Sequence, residues 1–161
     1  MDFQDTDAIF KRYERMKSKR GTWESLWEEI AERVLPRSSE FTGNRTPGDK
    51  RTDKMYDATS ALALERFAAA VESLLTPRGA RWHTLRTSDP ELSRVPEVAA
   101  WFDAVENALF HYRYAPRANF ASQMHEGYLS LGAFGTGGMF VDEKFDEGFR
   151  YRAVHLSDMF I

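Results

Sequence analysis

An α+β fold that is mostly helical, with about four to five helices, a short strand and a C-terminal β-hairpin, follows from three features of this sequence. Apolar residues recur at helical spacing in several long stretches before residue 134. Proline and glycine clusters at 36, 77–79 and 132–138 separate those stretches. After the last glycines, two alternating runs flank Asp146-Glu147-Gly148, the pattern of a hairpin.

The first stretch carries Ile9, Tyr13, Met16, Trp23, Trp27, Ile30 and Val34 at a 4-3 spacing, with Arg20 in one expected apolar slot. Gly21-Thr22 offers a C′ glycine followed by a capping threonine. The unbroken phase predicts two collinear helices or one helix with a weak point there, stopped by Pro36. Residues 37–54 are rich in turn formers and read as an exposed linker. The predicted organisation is thus a helical region at 1–36, a linker at 37–54, and a helical core at 55–161 holding strands at 82–87, 139–145 and 149–156.

From Asp57 to Leu75, apolar residues cover more than half of a helical circumference, which predicts a largely buried helix. Thr76-Pro77-Arg78-Gly79 breaks it, because proline cannot continue the ladder and pushes its predecessor out of helical geometry. A third helix, about Pro96 to Tyr112, sets Val98, Trp101, Val105, Leu109 and Tyr112 on one side. A fourth, about Ala118 to Leu131, stacks Phe120, Met124, Tyr128 and Leu131. The chain ends on Asp158-Met159-Phe160-Ile161, apolar and without a closing loop, which reads as part of a longer polypeptide.

Composition bounds function loosely. A chain of 161 residues fits one domain, and a domain of this size buries roughly 70% of its unfolded surface. No uncharged apolar run reaches the length of a membrane span, and the acidic start lacks a secretory layout. The absence of cysteine excludes disulfides and thiolate zinc sites. A net charge of −3 disfavours a strongly basic nucleic-acid binder, though not a local patch.

No constellation predicts a catalytic, metal or cofactor site. Gly132, Gly135, Gly137 and Gly138 follow a helix and enter a strand, the opposite polarity to a phosphate loop, and read as a tight turn with close backbone packing. His83, His111, His125 and His155 are scattered without ligand spacing. His125 reads as a residue bonding a neighbouring backbone group, and the acidic pairs as solvated faces. Six positive charges against one negative between residues 11 and 20 read mainly as a solvated helix surface. Arg78, Arg81 and Arg86 surround Trp82; one tryptophan is too few for a stacking platform, so subunit contact suits this cluster better. Which residues would contact nucleic acid is left open.

Two segments, Leu74-Leu75-Thr76-Pro77-Arg78-Gly79-Ala80-Arg81-Trp82 and Leu131-Gly132-Ala133-Phe134-Gly135-Thr136-Gly137, each close a helical pattern and open a strand-like one. With the Asp57-Ala58-Thr59-Ser60 helix start, Asn119-Phe120 and His125-Glu126-Gly127-Tyr128, the chain resembles the head-to-tail connecting (portal) proteins of short-tailed bacteriophages, from about Arg12 to its last residue. Members are several times longer, so these residues correspond to the N-terminal part. The resemblance implies a non-enzymatic, structural subunit of a homo-oligomeric ring, commonly a dodecamer, in the portal vertex of the virion and assembled in the host cytoplasm. It further implies capsid, scaffold, terminase and tail adaptor partners, and DNA that passes without sequence-specific recognition for packaging and ejection. Within such a ring this segment belongs to the outer wing, with Arg78, Arg81, Trp82 and Trp101 as candidate subunit-interface residues. The main alternative is a helical protein–protein interaction module of unknown partner; a small hydrolase or metal enzyme finds no motif.

Limited proteolysis checks the segment boundaries: the first cut is expected within 37–54, because polar, turn-rich stretches hold few buried contacts. A first cut within 57–75 would contradict that organisation.

Overall fold

A computed structural model of the chain describes residues 3–42, 48, 50–144 and 148–160. Four α-helices precede a two-stranded antiparallel sheet: α1 (Phe3–Val34), α2 (Thr59–Leu75), α3 (Pro96–Tyr114), α4 (Phe120–Phe134), β1 (Gly138–Lys144) and β2 (Gly148–Val154). Short 3-10 turns occupy Pro36–Ser38, Leu92–Arg94 and Leu156–Asp158. The mostly helical α+β class is therefore what the sequence predicts.

The first helix crosses Gly21 without a break, which settles the choice left open by the Gly21-Thr22 pair. No heavy atom lies within 4 Å of a Cβ placed at Gly21, and Ser25 Oγ donates to the Gly21 carbonyl at 3.2 Å. An exposed mid-helix glycine costs propensity but not the backbone ladder, so the helix runs through. It stops at Val34, and Pro36 opens the following 3-10 turn as expected.

Helix α2 departs from the reading as a largely buried element. Only Leu64 and Ala68 are buried, whereas Leu62, Phe67, Leu74 and Leu75 are exposed. Its inner face meets α4 and the end of α1, where Leu35, Leu64, Ala68, Tyr128 and Leu129 form the core with Val34, Val71, Met124 and Phe134 around them. The opposite face stands open among the described residues.

The other two helices turn slightly different faces inward than their periodicity indicates. In α3 the buried position is Glu106, and Trp101 and Tyr112 point outward, each 61% exposed. In α4, Phe120, Tyr128 and Leu129 are buried and Leu131 is partly exposed. Asn119 begins α4 in the left-handed region, φ 56°, a conformation asparagine tolerates better than most residues.

The expected strand at 82–87 is absent: the segment forms no regular element and pairs with no strand. Its Leu85 N–H donates instead to the buried Glu106 carboxylate at 2.5 Å, so a side chain replaces the ladder. The expected linker is partly docked. Ser39 is fully buried, and the Phe41 ring lies 5.8 Å from Trp27 and 5.2 Å from Phe134. Its residues 43–47 and 49 fall outside the described ones.

The hairpin forms with Gly138 opposite Val154 and Lys144 opposite Gly148, one residue earlier at each strand start than expected. Gly148 takes φ +81°, while Asp146 and Glu147 lie outside the described residues. Tyr151 N–H donates to the Ala118 carbonyl and Ala153 N–H to Gln123 Oε1, at 2.9 and 2.8 Å. These bonds cover the outer edge of β2, which would otherwise present unpaired amides.

Glycines make the helix-to-hairpin junction possible. Gly135 ends α4 at φ +78°, where a Cβ is strained. A Cβ at Gly137 would sit 2.8 Å from the Gly127 carbonyl oxygen of α4, which is backbone and cannot swing aside. Gly137→Ala is expected to cost about 1–3 kcal/mol in a urea denaturation series. Gly127→Ala serves as the control: its own Cβ meets nothing within 4 Å, so it should be neutral or stabilise by up to about 1 kcal/mol. Equal effects from both variants would contradict the close-approach account.

Candidate functional site

The segment linking α2 to α3 carries Arg78, Arg81 and Trp82, three of the four candidate contact residues, with Trp101 on α3 itself, and it is fastened by a chain of polar groups. Thr76 N–H donates to the Glu72 carbonyl at 3.0 Å as α2 ends. The Thr76 hydroxyl pairs with Tyr128 Oη at 3.0 Å, and its carbonyl accepts from Tyr114 Oη at 2.9 Å. Tyr114 in turn accepts from the Trp82 indole N–H at 3.0 Å. Burial raises the Tyr114 phenol above its ordinary value, so it stays a donor to Thr76.

Around that chain, aromatic rings close a second cluster. Trp82 stacks on Phe120 with centroids 6.1 Å apart, and Phe120 meets Tyr114 and Tyr151 edge-on at 5.2 and 4.9 Å. The Arg113 guanidinium lies over Trp82 at 4.8 Å, a cation held against the ring face. Its Nη1 also donates to His83 Nδ1 at 3.2 Å, which leaves that nitrogen unprotonated. Burial first, then Arg113 and Arg81, pulls His83 below its usual value.

Arg81 occupies a charge cluster on α3. Its Nη1 lies 2.8 Å from Asp103 Oδ1, 3.1 Å from Asn107 Oδ1 and 3.3 Å from Glu106 Oε2. The Asp103 bond is the main reason its guanidinium is held above its usual value. Arg78 pairs with Glu72 Oε1 at 3.0 Å and is otherwise exposed. Trp101 touches Phe102 edge-on at 5.0 Å and offers most of its indole to solvent. Arg78, Arg81 and Trp82 thus share one neighbourhood with intramolecular partners, and Trp101 is the freest of the four.

Two residues the sequence did not single out for these roles hold the molecule together elsewhere. Arg20, the charged residue in an apolar slot, donates to the Met159 carbonyl at 2.6 Å and the Leu156 carbonyl at 2.9 Å, and lies 4.3 Å from the Phe160 ring. The broken apolar pattern was the available signal. His125, expected to bond a neighbouring backbone group, instead stands between two carboxylates of α2, Glu72 at 3.0 Å and Glu65 at 3.2 Å. Residues 65 and 72 lie two helical turns apart on one face, but which residue of another helix meets them is invisible in local spacing.

A serine–histidine pair near the chain end invites comparison with a nucleophile and its base. His155 Nδ1 is 2.7 Å from Ser157 Oγ. That nitrogen already accepts the Ser157 backbone N–H at 3.2 Å, and Nε2 faces the Ser38 carbonyl at 3.0 Å. The pair caps the last 3-10 turn and ties it to the segment after α1. Among the described residues no three His, Cys, Asp or Glu side chains converge as a metal site, and no helix is long and apolar enough to cross a membrane.

The family model described as bacteriophage head to tail connecting protein matches residues 6–161. The chain is 32% identical over 139 residues to a probable portal protein of Bordetella phage BPP-1 and 29% identical over 143 residues to the portal protein of Salmonella phage epsilon15. Each comparison covers 86% of this chain and 25% of the relative, so the chain spans about a quarter of the length of these relatives.

The cluster geometry sets the expected behaviour of Trp82. Trp82→Ala should lower stability by roughly 2–3 kcal/mol, since it empties one wall of the cluster and removes the N–H that Tyr114 accepts. Trp82→Phe should retain most of the packing and lose roughly 1 kcal/mol for the indole hydrogen bond. Thermal melting of both variants checks this; unchanged melting for Trp82→Ala would mean that the cluster contributes nothing to the fold.

Proposed function

The chain belongs to the bacteriophage head to tail connecting protein family, and on that premise we propose that it is a structural subunit of a phage portal. In this reading identical subunits close into a ring, commonly of twelve, at one capsid vertex. A separate terminase motor drives DNA through the ring, and tail adaptor proteins attach to it. The observation that carries the reading is the match along nearly the whole chain together with two portal relatives. The work is structural and not enzymatic, the ring is a virion component assembled in the host cytoplasm, and capsid and scaffold are its further partners.

A ring of identical subunits requires two different surfaces on each copy, one meeting the other head to tail. Exposed aromatic and apolar side chains are the ordinary raw material of such contacts. Trp101 and the arginines Arg78 and Arg81 are the proposed contributors from the α2–α3 region, with Trp82 at its margin. Of these, Trp101 separates assembly from folding most cleanly, because its indole is mostly exposed.

Native mass spectrometry with electron microscopy tests the reading on the protein as its gene encodes it. Closed rings are the expected result, and a monomer at micromolar concentration would overturn it. Trp101→Ala is expected to shift stability by less than about 0.5 kcal/mol while weakening association by roughly 2 kcal/mol. Rings of unchanged stability in that variant would remove Trp101 from the interface without touching the portal reading.

A further inference from the structure

We propose that His125 is a proton-operated clamp between α2 and α4, engaged while its imidazole carries two protons and released when it loses one. The geometry itself fixes the charged form. Nδ1 lies 3.0 Å from Glu72 Oε2 and Nε2 lies 3.2 Å from Glu65 Oε2. Ionised carboxylates only accept hydrogen bonds, so both ring nitrogens must donate, and only the imidazolium has two N–H groups. A neutral ring would aim one lone pair at a carboxylate oxygen, turning an attraction into a repulsion.

The surroundings reinforce this. Arg78 pairs with the other oxygen of Glu72, at 3.0 Å, so Glu72 is shared between two cations. The neighbour of His125 on α4, Glu126, is engaged by Arg37 at 3.1 Å and does not enter the pair. The Tyr128 hydroxyl, one turn further along α4, bonds Thr76. Among the described residues the charged groups bonded to the imidazole are therefore Glu65 and Glu72 alone. Burial disfavours the imidazolium, and the hydrogen bonds and charges of Glu65 and Glu72 outweigh burial, so the group titrates above its usual value.

The sign follows from linkage. A histidine raised in the folded state contributes stability that is complete below its unfolded value, about 6.5, and is lost as pH rises through the folded value. His83 behaves oppositely: held low, it contributes above about 6.5 and loses that contribution as pH falls. The two histidines bound a stability optimum from either side, and only the alkaline flank belongs to the clamp. Its release acts where α2 ends, next to the Thr76–Trp82 segment that leads to α3.

Two measurements on the intact chain test this. Histidine side-chain NMR should place the His125 midpoint above 6.5, and melting temperature should decline as pH rises from about 6.5 to 8.5. His125→Gln should abolish that decline and leave the acid-side decline from His83. Should His125→Gln not fold, Glu65→Gln removes the more exposed partner and should lower the His125 midpoint by roughly half a unit or more. A His125 midpoint at or below 6.5, an alkaline decline that survives His125→Gln, or a midpoint indifferent to Glu65→Gln would each overturn the clamp.

Discussion

Helix α4 approaches its neighbours closely on two sides, through glycine at each, and that constraint organises the rest of the structure. On one side Gly132 admits Leu64 and Phe67 of α2, since a Cβ there would come within 2.5 and 2.8 Å of their side-chain carbons. On the other, the Gly127 carbonyl meets Gly137 as the chain turns into β1. Sheet and helices therefore share one short element. A methyl group at Gly137 would meet backbone that cannot swing aside, whereas one at Gly132 would have to displace the Leu64 and Phe67 side chains.

Polar groups then decide how the remaining elements attach to this centre. The hairpin binds α4 through the Gln123 side chain, and the segment before α4 through the Ala118 carbonyl. The α2–α3 segment is attached through Thr76, which bonds Tyr128 of α4 and Tyr114 of α3 with different atoms. The chain end is attached to α1 by Arg20 and to the segment after α1 by His155. A net hydrogen bond contributes only about 1 kcal/mol, but leaving a buried partner unpaired costs more, so these joints specify geometry more than they add stability.

How much of this was legible in the sequence depends on whether the signal was local. Helices α2, α3 and α4 and the hairpin arise from periodicity and breakers, and their predicted places lie within a few residues of those observed. The extent of burial was not legible. Leu62, Phe67, Leu74 and Leu75 have the composition of a core helix, yet composition does not say how many neighbours a chain supplies. The strand expected at 82–87 had the right residue types but no partner, and pairing is a property of two segments. The aromatic cluster drew members from four places, Trp82, Tyr114, Phe120 and Tyr151, of which Trp82 and Phe120 were named beforehand for separate reasons and Tyr114 and Tyr151 were not. Arg78 and Arg81 read in the sequence as part of a basic cluster around Trp82 suited to subunit contact; in the fold each also pairs with a carboxylate on α2 or α3.

Arg20 divides α1 into two mechanically different halves. Beyond it toward Val34 the helix is gripped by the core, the Trp27–Phe41 contact and the chain end. Toward the start, residues 6–19 are almost wholly exposed, and the Tyr13–Phe160 ring contact at 4.7 Å is their aromatic link to the body. A continuous helix with no break at Gly21 transmits bending along its length. From Arg20 back to Thr6 that rod extends about 21 Å at 1.5 Å per residue. Over that length a tilt of about 10° would carry Thr6 by about 4 Å, roughly the width of a side-chain contact, and would break the Tyr13–Phe160 contact on the way. The first helix is therefore tied to the chain's last described residues at two points seven residues apart, one guanidinium bonded to two carbonyls and one ring contact, so any change in its angle must be taken up at those two joints.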